Sequence, residues 1–466
     1  MRRQTATELV GLLDRGALSS EELASSLVSR IEKLNPSVNA VVHLDPEQVL
    51  ADARAADAAR RQGAQGRLLG LPLSIKDSIA VAGMPCRSGS FARAGVIPAH
   101  DATVVARLRA EGAIVLCKTN VPEYTWSTET DNAISGRTGN PYDLDRTAGG
   151  SSGGEAALHA LGGAPAGIGS DGLNSIRVPA HFCGTVGLRP TAGTVPETGA
   201  WPPTKCTGML DMSTLGPMAA SVTDLDLLLR VITGPDEIDP FVAAVPLEDY
   251  RTVSLVGLRV GVYTNDGITS PTEGTRAAVL GAGQALAEAG AEVVTAEPPN
   301  LTAVPDIAFR MMAADGGARA RSDLAPAAGR HHPQLAGLLE ALEPLALSAA
   351  AFFELMEQWA SLRSAIRRFV SSHDVVLCPV AAGPAPLHGR RPSDDGPLES
   401  YDEFAYSFAY AIAGLPAASV PCGVERGLPV GVQVVGPAHR DGRVLAVADH
   451  LERALSNQVP LPALPA

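Results

Sequence analysis

The stretch "GIGSDGLNSIRVPAHFCG" (residues 167–184) carries the most informative pattern in this sequence of 466 residues. Glycines crowd its first half, and one serine, Ser175, then stands between Asn174 and Ile176. Glycine permits tight turns and a close approach of one backbone to another. We interpret the segment as a turn that presents the Ser175 hydroxyl and directs neighbouring backbone N–H groups toward it.

The composition is that of a globular protein with a large core. Hydrophobic residues make up 45% of the chain and aromatic residues only 4%, so small side chains do much of the packing. A chain of this length can bury most of its apolar surface. The net charge of −13 argues against nucleic acid and anionic membranes as partners, because both attract basic surfaces.

The cysteines and the N-terminus indicate a cytoplasmic location. The six cysteines form no C-x-x-C pair and lie in mostly apolar surroundings, so we expect buried thiols in a reducing compartment. The first residues include two arginines but no apolar run, and we expect no signal peptide. The uncharged run 404–424 is long enough to span a membrane, but it contains "GLP" and Pro421. We interpret it as a buried helix followed by a buried strand.

Helical and extended patterns alternate along the chain, which predicts an α/β fold with a substantial sheet. The segment "LSSEELASSLVSRIEKLN" (18–35) begins with an S-x-x-E capping box, typical of a helix start. The segment "LPLSIKDSIAV" (71–81) is predicted to be a strand that contains Lys76. The segment "PCGVERGLPVGVQVVGP" (421–437) predicts two strands joined by a turn at Arg426-Gly427.

Three short motifs suggest other chemistry. "GIGSDG" (167–172) matches a dinucleotide-binding fingerprint, but the preceding "LGGAPA" is a poor strand. "GGSSG" (149–153) matches a nucleophile elbow centred on Ser151, but its lead-in is polar, and His439 and His450 have no context as triad partners. Both stay open as minor alternatives. The adjacent histidines 331 and 332 have no suitably spaced ligand partner, so we expect a solvated loop and no metal.

The strongest signal is a combination of motifs in a fixed order. Lys76 lies in "LPLSIKD", Ser151 in "AGGSSGG" and Ser175 in "SIRVPAHFCGTVGLRPT". The blocks "KTNVPE", "TLGPMA" and "GLPVGVQVVGP" occupy the expected places between and after them. With this set the chain resembles the amidase signature family over nearly its whole length.

The resemblance implies a fold and a domain plan. The fold would be the amidase signature fold, with a large mixed central sheet covered by helices on both faces. The chain would form a single domain over 1–466. Its parts would be an N-terminal helical segment (1–65), the signature core (66–230), a variable middle region (231–345) and a C-terminal part that completes the sheet (346–466).

The resemblance also implies a Ser–cis-Ser–Lys triad without metal or organic cofactor. Ser175 would be the nucleophile, Ser151, on a cis peptide bond, would relay the proton, and Lys76 would be the general base. A serine hydroxyl needs such a base, and a lysine can serve only when burial has made it neutral. Taken singly, the serines could instead cap helices, as we expect of Ser152, and Lys76 could form an ion pair. Asp77 is a poor partner for it, because adjacent strand residues point to opposite faces.

The turn before the nucleophile departs from the family pattern. The family usually has two glycines there, whereas this chain has Leu173 and Asn174. Asparagine tolerates a left-handed φ, so we expect Asn174 to keep the turn and Gly172 to absorb the remaining constraint. The backbone amides of Gly172, Leu173, Asn174 and Ser175 are the candidate oxyanion donors. We expect altered specificity rather than lost activity.

The substrate is the least determined feature. Tyr124, Thr125 and Trp126 follow "KTNVPE", where the family often lines its pocket, and Trp201 and Met311-Met312 either add apolar surface or belong to the core. By a rough count, Phe404 stands where the glutamine-using amidotransferase subunit of the family has an acidic residue.

We therefore expect hydrolysis of a small hydrophobic or aryl amide, with esters and carbamates (urethanes) open. A glutaminase subunit of an amidotransferase and a non-catalytic binding protein remain alternatives. The expected partners are the small-molecule substrate and, at most, a second copy of the chain, as a monomer or homodimer.

Overall fold

The computed structural model describes residues 4–203, 210–455 and 459–463. Within these ranges the strands are β1 (Val41–Leu44), β2 (Pro72–Lys76), β3 (Ile114–Thr119), β4 (Gly139–Asn140), β5 (Asp143–Thr147), β6 (Ala166–Asp171), β7 (Val186–Arg189), β8 (Thr214–Ala219), β9 (Arg259–Val262), β10 (Glu292–Thr295), β11 (Val375–Pro379), β12 (Ala417–Glu425) and β13 (Leu428–Val435). The helices are α1 (Ala6–Asp14), α2 (Ser20–Val38), α3 (Pro46–Arg61), α4 (Thr103–Ala110), α5 (Gly153–Ala160), α6 (Arg177–Cys183), α7 (Val222–Ile232), α8 (Glu273–Glu288), α9 (Val304–Met312), α10 (Ala318–Leu324), α11 (Pro333–Leu342), α12 (Ala349–Ser371), α13 (Ala405–Ile412) and α14 (Asp441–Leu455).

Eleven of the described strands form one sheet in the order β1-β3-β2-β6-β8-β7-β12-β13-β11-β9-β10. Strand β2 pairs in parallel with β3 and β6, and β9 pairs in parallel with β10 and β11. The strands between β6 and β11 pair antiparallel, as does β1 with β3. The predicted α/β fold with a large mixed sheet is confirmed.

Several local predictions are confirmed at the same time. Ser19 and Glu22 form the capping box of α2, with both reciprocal hydrogen bonds present. Arg426 and Gly427 both have positive φ in the turn between β12 and β13. The uncharged run 404–424 contains the buried helix α13 and then strand β12. The five cysteines in the described ranges are buried, and Cys206 lies outside them.

No single helix in the described part of the chain is long and apolar enough to cross a membrane. The segments Pro333–Leu345 and Ala349–Ser371 meet the length and composition only as a pair, which is bent by 106°.

The glycine-rich start of the 167–184 stretch is a strand and not a turn, which corrects the sequence-based interpretation. Residues 166–171 form β6, in the middle of the sheet. Its glycines are needed for close packing: a Cβ on Gly167 would lie 2.5 Å from the Ser74 carbonyl oxygen, and one on Gly169 would lie 2.8 Å from the Met218 sulfur. The turn proper spans only residues 172–176, between β6 and α6.

The sheet brings the ends of two strands to one place. Strands β2 and β6 run parallel, with Ser74 opposite Gly167 and Ile75 opposite Ile168. Their carboxyl ends, Lys76 in β2 and Asp171 in β6, therefore lie at the same edge of the sheet. Parallel sheets commonly collect functional groups at this edge.

The packing at Gly167 generates a test with a matched control. Gly167→Ala places a methyl group against backbone that cannot rotate away, so we expect a loss of about 1–3 kcal/mol or more in unfolding free energy. Gly281 lies on the exposed side of α8 with nothing within 4 Å of an added Cβ. Gly281→Ala should therefore stabilise the protein by up to about 1 kcal/mol, because alanine favours helix more than glycine does. Urea denaturation of both variants measures the difference, and equal effects would contradict the packing described here.

Candidate active site

The Lys76 side chain ends in a nest of serine hydroxyls. Lys76 is fully buried at the end of β2. Its Nζ lies 2.7 Å from Ser151 Oγ, 2.8 Å from Ser152 Oγ and 2.8 Å from Ser170 Oγ. Ser151 and Ser152 immediately precede α5, and Ser170 is in β6. The peptide bond between Gly150 and Ser151 is cis, as the resemblance implies.

Burial controls the charge of this amine. It lowers the pKa of Lys76 to about 7, while the nearby carboxylates of Asp171 and Glu155 act in the opposite direction. Near neutral pH a large share of Lys76 is therefore unprotonated, unlike an ordinary lysine. A neutral amine has a lone pair, so the 2.7 Å contact then lets the Ser151 hydroxyl donate to Nζ.

Ser152 and Ser170 are contacts of Lys76 that the motifs alone did not predict. Ser152 stands at the N-cap position of α5, but its side chain makes no capping hydrogen bond, so the expectation that it caps the helix is wrong. Its hydroxyl contacts Lys76 and the Ser170 carbonyl oxygen, at 3.3 Å from the latter. The doubled serine in "GGSSGG" was the sequence feature that could have indicated the contact between Ser152 and Lys76.

The turn that carries Ser175 is braced by a buried ion pair. The Asp171 carboxylate accepts from the Ile176 N–H at 3.1 Å and from Arg177 Nε at 3.0 Å and Nη2 at 2.9 Å. Arg177 Nη2 also donates to the Leu173 carbonyl oxygen, which ties both ends of the turn together. Although burial alone would raise it, the guanidinium groups of Arg177 and Arg189 lower the pKa of Asp171 to about 2.

The backbone of the turn is oriented without left-handed residues. Gly172, Leu173 and Asn174 are not among the positive-φ residues, so the prediction of a left-handed Asn174 is wrong. In a planar trans peptide the C=O and N–H groups point in opposite directions. Because Arg177 binds the Leu173 carbonyl, the Asn174 N–H points away from Arg177. The Asn174 carbonyl accepts from Val178 N–H, so the Ser175 N–H points away from helix α6.

A cavity of about 100 Å³ opens over these groups. Its lining residues are Thr125, Trp126, Ser127, Thr128, Ser151, Ser170, Gly172, Leu173, Asn174, Ser175, Ser213, Phe309, Met312, Leu338, Tyr401 and Phe408. Ser151 and Ser175 both line it, and Lys76 lies directly behind Ser151. The lining also includes aromatic and aliphatic side chains, and no charged side chain is among these described lining residues.

Only some of the predicted pocket residues line the cavity. Thr125 and Trp126 line the cavity, whereas Tyr124 does not. The Tyr124 ring is buried and packs edge-on against Trp126 and Trp201, with ring centroids 4.8 Å and 4.9 Å apart. Its hydroxyl donates to Asp323 at 2.9 Å. Tyr124 therefore supports the wall that Trp126 forms.

The apolar wall combines distant segments. Met312 lines the cavity, while Met311 and Phe404 belong to the buried core. Phe309 and Leu338 also line it, although they were not predicted to do so. Neither residue lies near a recognisable motif, so no local pattern pointed to them.

The alternative motifs do not assemble a second site. "GIGSDG" lies in and just after β6, and neither His439 nor His450 is among the cavity residues. His331 and His332 lie in a loop, as expected, and are partly exposed, but they also contact carboxylates: His331 Nδ1 lies 3.1 Å from Glu123 and His332 Nε2 lies 3.6 Å from Asp131. Within the described residues, no group of three or more His, Cys, Asp or Glu residues could hold a metal ion.

Comparison with known proteins places the chain in the class of amide hydrolases. A sequence model of the family described as Amidase matches residues 22–445, and the chain belongs to this amidase signature family. A glutamyl-tRNA(Gln) amidotransferase subunit from Roseiflexus castenholzii (strain DSM 13941 / HLO8) is 35% identical over 482 residues, covering 98% of this chain and 97% of the relative.

Two solved structures are similar along the whole chain. A bacterial aryl acylamidase of the amidase signature family has a TM-score of 0.89 at 27% identity, covering 100% of this chain and 99% of its own. The 6-aminohexanoate cyclic dimer hydrolase has a TM-score of 0.87 at 26% identity, covering 100% of this chain and 99% of its own. The expected family and fold are confirmed.

The low pKa of Lys76 predicts a pH-dependent stability. The folded protein releases the Lys76 proton near pH 7, whereas the unfolded chain keeps it up to its ordinary value of 10.5. Folding is therefore penalised below pH 7, and the penalty disappears as the pH rises toward 10.5. The full effect corresponds to about 4 to 5 kcal/mol, because one unit of pKa is roughly 1.4 kcal/mol.

Lys76→Met removes this penalty. The free energy of unfolding of the variant should exceed that of wild type by the largest amount at or below pH 7. This difference should shrink as the pH rises toward 10.5. Denaturation curves between pH 6 and pH 10, run beside the exposed-lysine control Lys33→Met, measure the trend. If the difference in unfolding free energy between Lys76→Met and wild type changes with pH as little as it does for the control, the amine of Lys76 is not buried in its neutral form.

Proposed function

We propose that this chain hydrolyses the C–N bond of a small hydrophobic or aryl amide through an acyl-enzyme on Ser175. One observation carries the proposal: Ser175 and Ser151 line the same cavity, and Lys76 Nζ lies 2.7 Å behind the Ser151 hydroxyl. A nucleophile and a relay thus line one cavity, with a buried base behind the relay.

In the proposed reaction, Ser151 and Lys76 first take a proton away from Ser175 and later deliver a proton to the leaving nitrogen. Ser175 Oγ attacks the carbonyl carbon while its proton passes to Ser151 and the Ser151 proton passes to neutral Lys76. The C–N bond then breaks, and Lys76 returns a proton through Ser151 to the leaving nitrogen. Water attacks the acyl-serine by the same route, which releases the acid and restores the Ser175 hydroxyl.

The turn supplies the proposed oxyanion donors. The backbone amides of Gly172, Leu173, Asn174 and Ser175 are adjacent to the nucleophile, and those of Asn174 and Ser175 point away from the Arg177 and Val178 contacts. Such donors typically contribute about 2.7–4 kcal/mol each to stabilising the transition state. The Asp171–Arg177 brace holds them in place in the absence of substrate, which lowers the cost of reorganisation.

The apolar side chains that line the cavity support an aryl or alkyl substrate. Trp126, Leu173, Phe309, Met312 and Phe408 provide a surface that favours burial of carbon over charge. The similar aryl acylamidase fits this interpretation. Esters would follow the same path, and a carbamate would pass through a carbamoyl-serine, so urethanase activity belongs to the same proposal.

A glutaminase subunit is the second candidate. Curated relatives at 33–35% identity over most of the chain are named as subunits of glutamyl-tRNA(Gln) amidotransferase, which favours it. The described cavity lining offers no charged side chain to pair with the α-carboxylate or α-ammonium of glutamine. Burying those charges unpaired would be costly, so we place the aryl amide first.

Labelling tests the proposed nucleophile. Phenylmethylsulfonyl fluoride or an aryl carbamate should add one adduct per chain, and peptide mapping should place it on Ser175. Ser175→Ala should remain unlabelled and lose about 1,000-fold or more of the hydrolysis of 4-nitroacetanilide. An adduct on Ser151 that persists in Ser175→Ala would contradict the proposal and restore the nucleophile-elbow interpretation. Faster turnover of glutamine than of the anilide would favour the second candidate.

The base should appear directly in the pH dependence of kcat/KM. Only neutral Lys76 accepts a proton, so kcat/KM should rise tenfold per pH unit below about 7 and level off above it. A profile that keeps rising to pH 10 would indicate an ordinary lysine pKa and contradict the role assigned to burial.

A further inference from the structure

The side chain of Asn174 has a buried N–H donor for which the described part of the chain provides no hydrogen-bond acceptor. It directly precedes Ser175, lines the cavity and is only 3% exposed. Its side-chain Nδ2 is buried without a hydrogen-bond partner among the described residues. Buried polar groups are nearly always paired, because an unpaired one loses its bonds to water and gains none in return. The orphaned amide therefore requires an explanation.

The surrounding turn does not satisfy this donor. The Asp171 carboxylate is occupied by Ile176 and Arg177, and the Leu173 carbonyl accepts from Arg177. The carbonyl of Asn174 itself accepts from the Val178 N–H. These acceptors of the turn each already accept a hydrogen bond, and Asn174 lines the same cavity as Ser151 and Ser175.

We propose that the Asn174 side chain donates a hydrogen bond from Nδ2 to the carbonyl oxygen of the scissile amide, ester or carbamate. The inference rests on the proposed function. When Ser175 Oγ attacks, the carbonyl oxygen of the substrate lies within a few ångströms of the adjacent residue and becomes an oxyanion. A side-chain carboxamide is a known type of oxyanion donor, and its effect grows as negative charge develops on the oxygen.

The neutral charge of the carboxamide suits this place. A lysine or arginine here would add a positive charge near Lys76 and disfavour its protonation during the reaction. A carboxamide stabilises the oxyanion and leaves the titration of Lys76 unchanged. The Asn174 donor would thus complement the backbone amides without interfering with the base.

Two variants test the donor. Asn174→Ala removes the carboxamide, and Asn174→Leu replaces it with an apolar side chain of similar size. We expect both to lower kcat for 4-nitroacetanilide by about 100-fold, with KM within about threefold of wild type. The midpoint of the pH profile should stay in place, and the melting temperature should be unchanged or higher, because an unpaired buried donor is removed.

Ser419→Ala is the matched control. Its Oγ is also buried without a partner in the described ranges, but Ser419 is not among the cavity residues. The control should therefore keep the wild-type kcat, which separates the loss of an orphaned polar group from the loss of a substrate contact.

The outcomes distinguish this inference from the proposed function. If the wild-type protein is active and both Asn174 variants keep the wild-type kcat, this inference is wrong while the proposed function stands. The same holds if the loss in the variants appears entirely in KM. A wild-type protein that neither acylates on Ser175 nor hydrolyses the anilide would overturn the proposed function and this inference with it.

Discussion

The burial of the Lys76 amine among three serine hydroxyls is the constraint on which the site depends. Among the described residues no carboxylate is in direct contact with Nζ, so its nearest partners are neutral, and desolvation lowers its pKa to about 7. The hydroxyls come from two elements, the segment before α5 and strand β6, and both must approach β2 closely. The side-chain-free Gly167 and Gly169 make that approach possible.

Asp171 connects this base to the nucleophile. It ends β6 next to Ser170, raises the pKa of Lys76 through its charge and accepts the hydrogen bonds that brace the Ser175 turn. Arg177 and Arg189 keep it ionised in spite of full burial. A buried charge is tolerable only when it is paired and hydrogen-bonded, and Asp171 meets both conditions. The same ion pair thus supports the turn geometry and contributes to the electrostatics around the amine.

Sequence patterns predicted the class of fold and the central residues of the site, because both depend on local signals. The capping box at Ser19, the hairpin at Arg426 and the motif blocks around Lys76, Ser151 and Ser175 are readable in short windows. The contact of Ser170 with Lys76 depends instead on the register between β2 and β6, and the contact of Ser152 depends on how the segment before α5 packs against β2, neither of which a short window contains. Tyr124 was assigned to the pocket, but its positive φ of 59° belongs to a turn in which its ring packs against Trp126 and Trp201.

Titration of Lys76 by NMR would establish whether burial makes this amine a base. The chain has only four lysines, so protein labelled with ¹³C at the lysine Cε should give few signals, and Lys76→Met identifies the relevant one. We expect one Cε signal that titrates with a midpoint near 7 and is absent from the variant. A Lys76 signal that stays in its charged position up to pH 9 would show a protonated amine and contradict the proposed role of burial.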